Sequence, residues 1–141
     1  MAQFTAAADL GLYLASKPAF AGRLNFVGHS KGGAQSVVAA LRGNFPATTF
    51  NAAGVSTGTA AALNIDLALS RTLVTAYSEP GDLLSQFVNK LPFAPGTNGN
   101  PVMLVDPGDI QRDISYGAIN RHLMEDVIRS INRELKKNDC K

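Results

Sequence analysis

The stretch Leu24-Asn25-Phe26-Val27-Gly28-His29-Ser30-Lys31-Gly32-Gly33-Ala34 decides how this chain is read. Leu24 to Val27 is a short, mainly apolar run that ends at a glycine, which suits a buried strand. From Lys31 to Leu41 the residues are small and aliphatic, and Gly43 supplies a stop signal, so a helix follows at once. Between the two lies Gly-x-Ser-x-Gly, Gly28 to Gly32. A serine in such a strand-to-helix turn sits under backbone strain with its hydroxyl exposed. Neighbours two residues either side approach it closely and must lack bulky side chains. Gly28 and Gly32 meet that need, and Gly33 gives more room. The turn places Ser30 at the positive end of a helix. It also aims the backbone N–H of Lys31 where an oxyanion would form.

Outward from the turn, strands and helices alternate. Ala2 to Ser16 reads as an alanine-rich helix closed by Pro18 and Gly22. Thr48-Thr49-Phe50-Asn51 reads as a second strand, Ala60 to Leu69 as a short helix, and Arg71 to Tyr77 as a third strand broken by Pro80-Gly81. Pro92 to Pro101 is a loop, and Val102 to Val105 a fourth strand. A final helix starts near Ser115, with Ile119, Leu123, Val127, Ile131 and Leu135 spaced four apart. This order predicts a single α/β domain over residues 1–141, three-layered around a mostly parallel sheet.

Composition narrows the function. A 45% hydrophobic content suits a buried core, and a formal net charge of +2 is too small to argue for a nucleic-acid partner. Arg129, Arg133, Lys136 and Lys137 read as a solvated helix end whose cations suit the negative end of the dipole. The single cysteine, Cys140, lies in a polar tail and has no internal partner for a disulfide. No stretch is long and apolar enough to be a transmembrane segment, and the residues after Met1 lack the charged-then-apolar pattern of a secretory signal.

A nucleophilic serine needs a base, and the chain has two histidines. His29 lies inside the turn and its side chain is expected to point away from Ser30. His122 follows the last strand early in the final helix, so it is the candidate base. The carboxylate that orients it should lie in a loop after a strand. Asp82 follows the third strand, Asp106 and Asp109 follow the fourth, and Glu79 is a further rival.

The run from Leu24 to Ala34, followed by Thr49-Phe50-Asn51-Ala52, resembles the class 3 lipase branch of the α/β-hydrolases. The serine turn there typically reads Gly-His-Ser-Leu-Gly-Gly. Lys31 stands here in place of leucine, as it does in related bacterial hydrolases of unassigned substrate. The resemblance implies the chain order Ser, acid, His, with the acid two strands after the nucleophile strand. That order selects Asp82, in Gly81-Asp82, and His122. It implies a serine hydrolase acting on a lipid-like or small-molecule ester, with Ser30, Asp82 and His122 catalytic and Lys31 in the oxyanion hole. No metal or cofactor is called for.

Members of that branch carry several strands before the nucleophile strand, and a loop among them donates a second oxyanion N–H. Barely one helix precedes Leu24 here, so the chain is expected to be the C-terminal portion of the fold, truncated at its N-terminal side. Two further readings follow. One is a non-catalytic truncated hydrolase domain acting as an interaction module, and the other is acyl transfer to an acceptor other than water. An apolar nucleophile strand at an open sheet edge also predicts a homodimer formed through that edge.

Overall fold

A computed structural model describes residues 1–82, 84, 94–104 and 123–138. The chain is α/β, with four strands in one parallel sheet flanked by helices. The strands are β1 (Phe26–His29), β2 (Ala47–Phe50), β3 (Val74–Ser78) and β4 (Asn100–Met103), and they lie in chain order across the sheet. The helices are α1 (Ala2–Ala15), α2 (Ser30–Gly43), α3 (Thr57–Ala62), α4 (Ser70–Leu73) and α5 (Met124–Asn138).

The alternation of side chains along the strands builds two unlike faces. Ala47, Thr49, Val74 and Ala76 are buried, and Ala47 and Val74 share a core with Ala34, Val37, Val38 and Leu41 of α2. Thr48, Phe50, Tyr77 and Val102 line a cleft of about 440 Å³ on the opposite face, together with Ile131 and Leu135 of α5. α2 thus covers one face of the sheet, α5 borders the cleft on the other, and α1 packs outside α2.

The α1–α2 crossing depends on small residues. Ala8 and Gly11 are the buried positions of α1. A Cβ on Gly11 would collide with the backbone carbonyl of Ala39, and one on Gly43 would stand 2.6 Å from the Gly11 carbonyl oxygen. Gly43 therefore serves packing rather than termination. The left-handed cap expected of a glycine is Asn44 instead, at φ +57°, whose N–H returns to the Ala40 carbonyl.

Several boundaries differ from the sequence reading. The strand expected at Leu24–Val27 starts at Phe26, where pairing with β2 begins, and runs on through Gly28 and His29. The helix expected over Ala60–Leu69 is interrupted, because Asn64 turns left-handed at φ +52°. A 3₁₀ turn (Leu67–Leu69) and α4 follow it, so β3 begins only at Val74. β4 begins two residues earlier than expected, in register with Thr75 of β3. The proposed start of the final helix near Ser115 and its residue Ile119 lie outside the described residues. Of the rest of its stripe, Val127 is buried, while Leu123 and Leu135 are largely exposed. Among the described residues no helix is long and apolar enough to cross a membrane.

Among the described residues no strand pairs with the outer edge of β1, and Val27 is 62% exposed. Such an edge is a template for another chain. The isolated 141-residue chain is therefore expected to associate as its concentration rises, and Val27→Lys to reduce that association. Light scattering across a concentration series checks both, and a monomer throughout would mean that the edge is covered. At the helix crossing, Gly11→Leu is expected to cost about 3 kcal/mol or more, because backbone is a stiffer neighbour than a side chain. Urea denaturation measures that loss.

Candidate active site

Ser30 lies in a direct strand-to-helix turn. β1 ends at His29 and α2 starts at Ser30 with no residue between them. The reversal is absorbed by Ser30 itself, at φ +54°. That left-handed conformation costs a non-glycine residue roughly 1–2 kcal/mol. One visible restraint on it is a bond from the Ala53 N–H to the Ser30 carbonyl, at 3.1 Å. Ser30 is half-buried at the N-terminus of α2, and Lys31 beside it is exposed.

Close approach around the serine falls on Gly28 and Gly33. A Cβ on Gly28 would strike the Gly32 carbonyl and the Ser36 hydroxyl, and one on Gly33 would stand 2.5 Å from the Cβ of Ala52. Gly32 was expected to be needed for clearance too. Among the described residues a Cβ there meets nothing within 4 Å, because Gly32 is on the open side of the first helical turn, while Gly33 faces the segment after β2.

The ends of β1, β2 and β3 are level, with His29, Phe50 and Tyr77 in register. Ser30, Asn51 and Glu79 therefore emerge along one edge of the sheet, at the carboxyl ends of parallel strands, where open α/β sheets place their ligands. Asn51 is fully buried and left-handed, at φ +43°. Its N–H donates to the Tyr77 carbonyl at 2.9 Å, and its side-chain Oδ1 accepts the Glu79 N–H at 2.9 Å. It thus stitches the end of β2 to the end of β3.

From Glu79 the chain turns through Pro80 and Gly81, with Gly81 at φ +84°. The turn closes with the Asp82 N–H donating to the Glu79 carbonyl at 3.2 Å. Asp82 is fully buried. The structure thus brings Ser30 and Asp82 to the same edge of the sheet, with the end of β2 between them. His122, Asp106 and Asp109 lie outside the described residues.

Two participants in this edge were not singled out from the sequence as parts of a shared network. Glu79 is 4% exposed, and its Oε1 accepts a hydrogen bond from Ser130 Oγ at 2.5 Å. Asn51 marked only the end of a strand. The available signal was that asparagine tolerates left-handed backbone at such an end.

Comparison with known proteins points to a phospholipase-like family. The family described as phospholipase-like, with a Tle-like phospholipase domain, matches residues 1–126. An extracellular phospholipase A1 from Serratia liquefaciens is 36% identical over 113 residues, which cover 77% of this chain and 35% of that protein.

Replacing Asn51 tests the edge. Asn51→Ala leaves the buried Glu79 N–H without its acceptor and keeps an unfavourable φ. It is expected to cost about 2–3 kcal/mol. Asn51→Gly relieves the φ and should cost less. Thermal unfolding of the two variants ranks them.

Proposed function

The chain belongs to the Tle-like phospholipase domain family, and on that premise we propose that it is a serine hydrolase cleaving carboxylic esters of phospholipids. The observation that carries the reading is Ser30 in its left-handed turn, between a parallel strand and a helix N-terminus. That position presents a hydroxyl above the carboxyl edge of the sheet and within reach of substrate.

In this reading Ser30 Oγ attacks the ester carbonyl while His122 takes its proton. The tetrahedral oxyanion forms beside the N–H of Lys31, at the positive end of α2, where fixed dipoles favour negative charge. The ester C–O bond then breaks, and His122 returns the proton to the leaving alcohol. Water, deprotonated by His122, attacks the acyl-enzyme; the acyl–Oγ bond breaks, His122 returns the proton to Ser30 Oγ, and the fatty acid leaves. Asp82 holds the imidazole tautomer and stabilises the imidazolium. Its place two strands after the nucleophile strand supports Asp82 over Asp106 and Asp109, and its complete burial suits a triad carboxylate.

The Gly-His-Ser-Lys-Gly-Gly turn supports a position near the class 3 lipases, and the Serratia relative supports activity of the phospholipase A1 type. The chain spans 35% of that relative's length. A second reading is an interaction module built on the same fold without catalysis. The same residues would also serve transfer of the acyl group to an acceptor other than water.

Ser30→Ala is expected to abolish hydrolysis of a short-chain phospholipid and of a p-nitrophenyl ester. Loss of a triad nucleophile is on the order of a million-fold in kcat in a serine protease. Equal rates in wild type and variant would defeat the assignment. Labelling by a fluorophosphonate that requires Ser30 supports the hydrolase, and an inert Ser30 supports the interaction module.

A further inference from the structure

A carboxylate removed from water requires a specific polar partner, and Glu79 has one on a distant element. Its Oε1 accepts the Ser130 hydroxyl at 2.5 Å, and both residues are at least 95% buried. The two residues stand at informative places. Glu79 begins the turn that closes on Asp82, and its N–H is held by Asn51, where β2 ends next to Ser30 in the register of the sheet. Ser130 lies in α5, whose first residue, Met124, follows His122 by two positions in the chain. One turn before Ser130, Val127 is wholly buried, so that face of α5 is seated inward. A buried hydrogen bond therefore joins the turn of the proposed acid to α5, which starts two positions after His122 in the sequence.

We propose that Glu79 is a positioning residue, which holds the Asp82 turn against α5 through its bond to Ser130. The proposal rests on the assignment of Ser30, Asp82 and His122 above. A catalytic group misplaced by about 1 Å loses as much as a hundredfold in rate. Glu79 acts through an acceptor oxygen, and glutamine offers one in the same place. This separates Glu79 from a triad acid, whose conversion to the amide costs about ten-thousand-fold in a serine protease.

The test compares Glu79→Ala, Glu79→Gln, Ser130→Ala and the double alanine variant. Glu79→Ala and Ser130→Ala are each expected to lower kcat roughly tenfold to a hundredfold with KM nearly unchanged. The double variant should be no worse than the poorer single one, because the two side chains share one interaction. Glu79→Gln should stay within about threefold of wild type, since it preserves the bond. Should Glu79→Ala fail to fold, Ser130→Ala removes one oxygen and Glu79→Asp withdraws the carboxylate by one methylene, and each should show the same loss.

A second measurement needs no turnover. The chain has two histidines, so the ring resonances of His122 and His29 are separable by NMR. The alanine variants should move His122, and Glu79→Gln should not. An unmoved His122 with full kcat in Ser130→Ala overturns the proposal, as does a Glu79→Gln loss as large as that of Asp82→Asn, which would make Glu79 the acid. Failure of the underlying assignment has a different signature, namely Ser30→Ala as active as wild type.

Discussion

The left-handed backbone at Ser30 is the constraint on which the rest of this structure depends. A strand cannot pass into a helix without an intervening loop unless one residue absorbs the change of direction, and a side chain at that residue makes the conformation unfavourable. The surrounding packing must therefore hold it. Gly28 and Gly33 let α2 lie close to the strand and to Ala52. The Ala53 N–H fixes the Ser30 carbonyl, and Ala34, Val37 and Val38 bury the helix face against the sheet. Strain of this kind, stored where a reactive group is exposed, persists only where neighbouring structure over-determines it.

The same edge shows how polar groups are handled at the ends of buried parallel strands. Once β2 and β3 stop pairing, their backbone groups need other partners. Asn51 supplies them with both its amide N–H and its side chain. Glu79 extends the network to α5 through Ser130. The network is confined to the carboxyl edge. Within the sheet, by contrast, Thr49 has a buried hydroxyl with no partner among the described residues, in a strand whose other inward position, Ala47, is apolar. Such an orphan lowers stability.

The two faces of the sheet are unequally covered. Ala47 and Val74 are buried in a core shared with α2, and Ala76 is buried on the same face. The other face carries a stacked Phe50–Tyr77 pair at 5.4 Å, and beside it Met103 and Leu135 are more than half exposed. Parallel sheets ordinarily bury both faces. In a family whose Serratia relative is about three times as long as the matched region, that apolar face and the outer edge of β1 are where additional structure would gain most by packing.

The sequence by itself determined whatever depends on neighbours along the chain. The Gly28–Gly32 turn, the helix after it, the alternation of strands with helices and the parallel sheet all follow from local pattern, because period and breakers act over a few residues. So does the candidate nucleophile, since only a strand before and a helix after give the serine its geometry. Tertiary structure decided what depends on residues far apart. Gly43 looked like a helix stop but is a contact for Gly11, and Asn44 ends the helix instead. Glu79 looked like a spare carboxylate until α5 brought Ser130 to it from 51 residues away. Asn51 looked like a strand end until β3 placed the Glu79 N–H against its side chain. Burial and hydrogen-bond partners are properties of the packed chain, and no window of sequence contains both members of those pairs.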